Sequence, residues 1–318
     1  MHAPLPSPKT RRLAQIDVLG FGCVAVDDLC FVASYPTKAD AKARVLRTER
    51  RFGGLIGTAL VAAARLGSRC AFEGTLGRDE LSLFALEAMQ REGIDLTRIA
   101  RHDEAGPVHS CIIVGNDRGT RNIFFDRSRL FPPIRKGLRE AVAAARVLLV
   151  DHHDAAEKIA AIRHAREREI PIVADFEGTE EERFPELLAA VDHLILSHDF
   201  ASRLGAGTTP AAILKSLWNS GRKLAAVTCG AKGVWFLTAA DPTRPRRLPA
   251  FAIKAIDTTG CGDVFHGAYA AALARGLSIE ECLRLAAATA ALKAARPAGP
   301  DAIPRRREVE RFLRRATL

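Results

Sequence analysis

Residues 256–276 read IDTTGCGDVFHGAYAAALARG, and within them DTTGCGD, residues 257–263, forms what we call the glycine turn. We predict a strand that ends at Ile256 and a helix that runs from about Cys261 onward. The first turn of a helix presents free backbone N–H groups and the positive end of the helix dipole, which together bind anions. Glycine has no side chain, so a phosphate can approach this backbone closely. The stretch therefore predicts an anion site at a helix N-terminus.

Asp263 falls in the first turn of this predicted helix and projects toward the same point. A carboxylate there can accept the proton of a hydroxyl that attacks a γ-phosphoryl group. The alternative is a helix cap, because Asp and Gly are common where helices begin. His266 follows one helical turn later, and we expect it to pack near the base without acting. For Cys261, a redox switch is one interpretation, and a small residue that fits the turn is the favoured one.

Upstream of the glycine turn, short apolar runs alternate with amphipathic helical segments. This alternation predicts an α/β fold, with a doubly wound, mostly parallel sheet covered on both faces. Ligands of such sheets bind beyond the carboxyl ends of the strands. The predicted strands are 16–28, 146–151, 170–175, 193–197 and 223–230, and the predicted helices between them lie around 154–168, 180–190 and 209–219.

Two segments interrupt the alternation, at about 29–51 and 109–126, and each contains two strand-like runs around a polar turn. They predict hairpins of a small β-sheet beside the main domain, which is typical of a lid that closes over a substrate. We expect residues 1–15, proline-rich and basic, to form a disordered tail, and residues 16–318 to form a single domain.

The composition excludes several classes of protein. The net charge of +10 comes from arginines spread along the chain, and aromatic residues make up only 6%. These features favour a basic solvated surface over a nucleic-acid site, also for the arginine-rich segment 305–315. The seven cysteines are scattered without a CxxC pair, which fits a reducing cytoplasm better than disulfides or zinc. No run of about eighteen apolar residues predicts a membrane span.

The motif DTTGCGDVFHGAYA resembles the C-terminal signature of the ribokinase (PfkB) family of carbohydrate and nucleoside kinases, and the resemblance covers about residues 16 to 313. It implies a ribokinase-like fold with a β-sheet lid, and an ATP-dependent sugar kinase that uses Mg²⁺. Enzymes of this kind often pair their lids across a two-fold axis, so the resemblance also implies a homodimer joined through the lids.

The resemblance assigns roles to single residues. Asp263 matches the catalytic base, and the backbone of Gly260, Cys261 and Gly262 matches the anion hole. The positions that match the ATP site are Thr228, Gly230, Gly233, Thr258 and Ala291. On the sugar side, the matching positions are Asp27 at the end of the first strand and the paired glycines Gly53 and Gly54.

The sequence also departs from the family pattern. GGLIGTA stands where the family continues its glycine pair with an asparagine. In the segment that organises magnesium waters, usually Asn-x-x-Glu, Ser197 and Phe200 replace the asparagine and the glutamate. Asp199 or Glu177 is the candidate replacement carboxylate, and otherwise Mg²⁺ depends on the ATP phosphates. These departures keep a second function class open, a regulatory protein that binds sugar or nucleotide with weak or no catalysis.

Within the family, the segments PTKADAKARV (36–45), VFHGAYA (264–270) and AALKAARPAGPDAIP (290–304) most resemble bacterial sulfofructose kinases and their relatives. In those enzymes a lid lysine helps to hold the sulfonate of the sugar, and Lys42 is the matching position. Lys42, Arg121 and Arg127 are therefore candidates for binding an anionic tail of the sugar. His152 and His153 stand where those enzymes have an arginine, as substrate contacts or as plain helix-start residues. A neutral or phosphorylated ketose remains an alternative substrate.

Overall fold

The structure is a computed structural model, and it describes residues 16–36, 42–116, 120–130, 137–205, 207–297 and 299–316. The predicted tail, 1–15, lies outside the described residues. Among the helices in these ranges, none combines the length and the apolar character that crossing a membrane requires.

Within the described residues the strands are β1 (Ile16–Phe21), β2 (Ala25–Val32), β3 (Val45–Gly53), β4 (Cys70–Glu73), β5 (Thr75–Leu76), β6 (Ala100–Arg101), β7 (Val108–Gly115), β8 (Thr120–Asp126), β9 (Ala145–Asp151), β10 (Ile172–Asp175), β11 (His193–Ser197), β12 (Leu224–Thr228), β13 (Val234–Thr238) and β14 (Asp241–Leu248). The helices are α1 (Leu55–Arg65), α2 (Glu80–Arg91), α3 (Leu138–Ala143), α4 (Ala155–Arg166), α5 (Phe184–Ala190), α6 (His198–Arg203), α7 (Pro210–Leu217), α8 (Cys261–Ala274), α9 (Ile279–Ala294) and α10 (Arg306–Arg315). Short 3₁₀ turns lie at Gly230–Lys232 and Pro300–Ala302.

The main sheet has the order β4-β1-β9-β10-β11-β12-β13-β14, and it is parallel from β4 to β12. Its last two strands are antiparallel. The parallel strands are almost continuous apolar runs because helices cover both faces, each over its own apolar core. The predicted fold class, a doubly wound and mostly parallel α/β sheet, is confirmed.

Strands β2, β3, β7 and β8 form a separate sheet, which we call the lid, in the order β3-β2-β7-β8. Each predicted hairpin supplies two antiparallel strands, and β2 and β7 join the hairpins in parallel. Its core is a small cluster of Leu29, Phe31, Ile112 and Val114. Phe31 is 8% exposed, because its strand turns this side chain into the cluster.

Two predicted strands differ from the structure. The strand expected over 16–28 is broken after Phe21, because the Cys23 amide donates to the buried carboxylate of Asp151 and the chain leaves the main sheet for the lid. Ile256 ends no strand. Its amide and that of Asp257 donate to the carbonyl of Ala294 at the end of α9, so this segment follows a helix end instead of a sheet edge.

Candidate active site

The glycine turn leads directly into α8, and Asp263 is the third residue of that helix. Gly260 precedes the helix with φ at 72°, a left-handed conformation that favours glycine. A Cβ atom added to Gly260 would lie 3.6 Å from Oδ2 of Asp263 and 3.7 Å from Cγ2 of Thr58. A Cβ atom on Gly262 would meet nothing within 4 Å, so the space beside this residue is open.

The backbone of the turn is held so that some amides stay available. Cys261 donates to the Thr258 carbonyl and Val264 donates to the Gly260 carbonyl. Within the part of the chain that the structure describes, we find no acceptor for the amides of Gly262 and Asp263. Free amides in the first turn of a helix are the elements of an anion site.

Buried polar contacts fix the start of the turn. The Asp257 carboxylate accepts a hydrogen bond of 2.9 Å from the Thr259 amide. The ammonium group of Lys293, only 5% exposed, donates to the Asp257 carbonyl over 3.0 Å. The turn is therefore anchored on the last turn of α9, a contact that sequence reasoning missed.

Three carboxylates meet at this end of the main sheet. The oxygen atoms of Asp175, Glu177 and Asp263 lie within 4.8 Å of one another. Asp175 ends β10 and is 3% exposed. Sequence reasoning missed it, although an acidic residue at the carboxyl end of a parallel strand is a signal that could have found it.

Burial and mutual repulsion shift the pKa values in this cluster. Removal from water raises the pKa of Asp263 well above its usual range, and the charges of Asp175, Glu177 and Asp27 raise it further, whereas Lys293 lowers it. The pKa of Asp175 is raised by burial and by Glu177. An arrangement with this much unfavourable negative charge suits a cation.

His266 lies beside the cluster and contacts Asp175, with 3.1 Å between Nδ1 and Oδ2. Its ring also spans two carbonyls, 2.8 Å from Nδ1 to Gly262 and 2.9 Å from Nε2 to Ile195. Burial lowers the pKa of His266. The side chain thus ties α8 to the ends of β10 and β11.

Asp27 and the paired glycines lie together at the base of the lid. A Cβ atom on Gly53 would be 3.0 Å from Oδ2 of Asp27, and one on Gly54, with φ at 89°, would be 2.6 Å from the Ala25 amide nitrogen. Burial raises the pKa of Asp27, while a hydrogen bond from Ser110 lowers it. The negative charge of Asp27 also raises the pKa of Asp263.

Three of the positions matched to ATP lie at or just after the carboxyl end of β12. Thr228 ends β12, and Gly230 and Gly233 follow in the turn to β13, with φ at 53° and 87°. Thr258 is exposed in the glycine turn, and Ala291 is half-buried on α9.

Residues 197–200, which stand where the family has Asn-x-x-Glu, have structural roles in α6 and in the core. The Ser197 hydroxyl accepts the Phe200 amide over 3.1 Å and caps α6. Phe200 is buried in the apolar core. The Asp199 side chain is fully exposed and lies outside the carboxylate cluster, which instead contains Glu177, the other candidate.

Of the three candidates for an anionic tail, Arg121 and Arg127 stand at opposite ends of β8. Lys42 is exposed in the loop before β3, and Arg127 lies 3.7 Å from Glu180. Arg121 faces the glycine turn, with 3.1 Å between its guanidinium and Oδ1 of Asp257.

The environments of His152, His153 and Cys261 bear on the roles that the sequence left open. His152 is buried, which lowers its pKa to about 4, and His153 stacks beside it with ring centroids 4.1 Å apart. Burial raises the pKa of the Cys261 thiol, which favours a small packing residue over a reactive thiolate.

Known proteins resemble this chain in sequence and in fold. A sequence profile described as pfkB family carbohydrate kinase matches residues 22–305. The ketohexokinase of Mus musculus is 26% identical over 291 residues, which cover 87% of this chain and 95% of that protein. The crystal structure of an Agrobacterium tumefaciens protein, provisionally named a ribokinase, is 30% identical with a TM-score of 0.86, covering 94% and 97% of the two chains. The Arabidopsis thaliana ribokinase, solved with ribose and ATP, has a TM-score of 0.82 at 24% identity, covering 94% and 98%.

Proposed function

Since the chain belongs to the pfkB family of carbohydrate kinases, we propose that Asp263 is the base with which it phosphorylates a hydroxyl group of a ketose or related sugar. The chain is an ATP-dependent sugar kinase. The observation that carries the proposal is the position of Asp263 in the first turn of α8, where it lies beside Asp175 and Glu177 and where the amides of Gly262 and Asp263 have no acceptor among the described residues.

The proposed reaction is a direct transfer. Asp263 accepts the proton of the sugar hydroxyl while its oxygen forms a bond to the γ-phosphorus of ATP. The bond between that phosphorus and the β–γ bridging oxygen breaks, and ADP leaves with the electron pair. Charge that develops on the transferred group meets the amides of Gly262 and Asp263 and the positive end of α8. Asp27 holds sugar hydroxyls at the base of the lid.

The carboxylate cluster fits Mg²⁺, which prefers oxygen ligands. Oδ2 of Asp175 is buried without a hydrogen-bond partner among the described residues, even though the His266 ring is close. Asp175 and Glu177 are the residues that would hold the ion. They would take the place of the glutamate that the usual Asn-x-x-Glu segment supplies. Bound Mg²⁺ would neutralise the ATP phosphates and lower the pKa of the nearby base. The cluster therefore favours a catalyst over a regulatory protein.

The test is the Asp263→Asn variant, which keeps the size of the side chain and removes the proton acceptor. We expect turnover with ATP-Mg²⁺ to fall about a hundredfold to ten-thousandfold, with ATP affinity in equilibrium binding little changed. The acceptor is identified first with a panel of ketoses, ketose phosphates and sulfosugars, since the likeness to sulfofructose kinases remains a prediction. Turnover near the wild-type value would make Asp263 a helix cap.

A further inference from the structure

The cleft between the lid and the glycine turn contains a cavity of about 270 Å³. Three arginines of the lid line it, Arg47 and Arg51 on β3 and Arg121 on β8. Two carboxylates also line it, Glu49 on the lid and Asp257 on the glycine turn.

Among the residues that line this cavity, the positive charges outnumber the negative charges. Arg47 and Arg51 both contact the single carboxylate of Glu49, and Arg121 pairs with Asp257. Three guanidinium groups therefore share two carboxylates, and each guanidinium has five N–H donors. The cavity has room for a further negatively charged group.

Two of the arginines are held toward the cavity. The side chain of Arg51 is 22% exposed. Arg51 stands opposite Asp27 in the pairing of β2 with β3 and lines the cavity together with Asp257, so it lies between the sugar side of the cleft and the glycine turn. The guanidinium of Arg47 lies 3.4 Å from the centre of the Phe31 ring, which fixes its orientation.

Apolar side chains complete the wall. Leu29, Phe31 and Val114 come from the lid core, and Pro297 comes from the loop after α9. Apolar walls reduce the local dielectric, so an ion pair formed in the cavity is stronger than one on the open surface.

We propose that Arg47, Arg51 and Arg121 bind a tetrahedral oxyanion, a phosphate or a sulfonate, carried by the sugar substrate. The inference rests on the proposed function, because it names the class of sugar that the same cleft accepts. It retains Arg121 from the sequence prediction and replaces Lys42 and Arg127 with Arg47 and Arg51. Guanidinium groups suit this ligand because their planar forks match two oxygens of a phosphate or sulfonate at once.

Glu49 is the group that the substrate replaces. Its side chain is 32% exposed, so it can move into water at small cost when an anion takes its two arginine partners. Glu49 therefore competes with the substrate for Arg47 and Arg51. Its removal is expected to strengthen anion binding, whereas removal of an arginine weakens it.

The experiment compares an arginine variant with a Glu49 variant, because their expected effects on anion binding are opposite. Arg51→Gln is expected to raise the KM for a ketose phosphate or sulfoketose about tenfold or more, and to change the KM for the neutral ketose and for ATP much less. Glu49→Gln is expected to lower the KM for the anionic sugar severalfold. The matched control is Arg50→Gln, since Arg50 is the next residue on β3 and points to the other face, where it pairs with Asp28 and Glu80.

A second measurement does not depend on turnover. Binding of inorganic sulfate, followed by calorimetry, is expected to weaken in Arg51→Gln and in Arg51→Lys, and to strengthen in Glu49→Gln. Unchanged sulfate affinity in both arginine variants would overturn the proposal, and so would an Arg51→Gln variant that loses ATP affinity and not sugar affinity, because the oxyanion would then belong to ATP. A wild type that phosphorylates no sugar while these sulfate effects hold would count against the proposed reaction and leave the anion site standing.

Discussion

The two walls of the cleft carry opposite charges and are built in different ways. The wall on the main sheet presents Asp175, Glu177 and Asp263, and the lid wall presents three arginines. The acidic wall is fixed by strand ends, a helix start and buried backbone contacts. Among the residues that the structure describes, the lid wall depends on a core of four side chains and on ion pairs. In the reaction and the anion site that we propose, the phosphoryl transfer belongs to the acidic wall and the choice of sugar to the lid wall.

The strongest test of this contrast changes the acidic wall alone. We expect Asp175→Asn and Glu177→Gln to raise the Mg²⁺ concentration for half-maximal activity about tenfold to a hundredfold, since loss of a charged group at a metal site has effects of this size. Binding of Mn²⁺ to the protein without nucleotide, followed by electron paramagnetic resonance, is expected to weaken in parallel.

Asp199→Asn is the matched control for the acidic wall, because Asp199 was the other predicted metal ligand and its side chain is fully exposed. It is expected to leave both measurements unchanged. A large effect of Asp199→Asn together with wild-type behaviour of Asp175→Asn would reverse the assignment.

A smaller effect is expected where the acidic wall is anchored. Lys293→Met removes the buried donor to the Asp257 carbonyl and a positive charge that lowers the pKa of Asp263. We expect kcat to fall about tenfold, the cost of one charged hydrogen bond. The pKa of Asp263 is already raised, and it rises further without Lys293, so the acid limb of the pH profile of kcat/KM is expected to move to higher pH.

Chemical rescue separates this role of Lys293 from general damage to the fold. In Lys293→Ala, ammonium chloride is expected to restore part of the activity, and sodium chloride at the same ionic strength is not. Lys215→Met, which changes an exposed lysine on α7, serves as the control. Equal responses to the two salts, with an unshifted acid limb, would show that Lys293 only packs.

The sequence predicted the parallel sheet, the lid hairpins and the start of α8, because each depends on local periodicity or on a glycine-rich motif. It did not predict the partners brought in from distant parts of the chain. Asp175 reaches Asp263 only because β10 ends below α8, and Lys293 reaches Asp257 through the end of α9. The strand assigned to Ile256 failed for the same reason, since its amide pairs with a helix end that the local sequence does not reveal.

The smallest expected effect concerns the outer face of the lid. Phe124 is 59% exposed on β8, opposite Cys111, and Leu46 is 53% exposed on β3. A four-stranded sheet with so small a core gains stability when a second copy covers this face, and a two-fold axis lets the same patch serve both copies. We therefore expect a homodimer joined through the lids.

Phe124→Ser is expected to give monomers in light scattering at micromolar concentration with a change of only a few-fold in KM for the sugar, because the acidic wall is untouched. Leu83→Ser, which changes an equally exposed leucine on α2, is expected to stay dimeric. A wild type that is monomeric and fully active at that concentration would mean that the lid works without a partner. The four side chains of the lid core would then be enough to hold the three arginines of the lid wall in place.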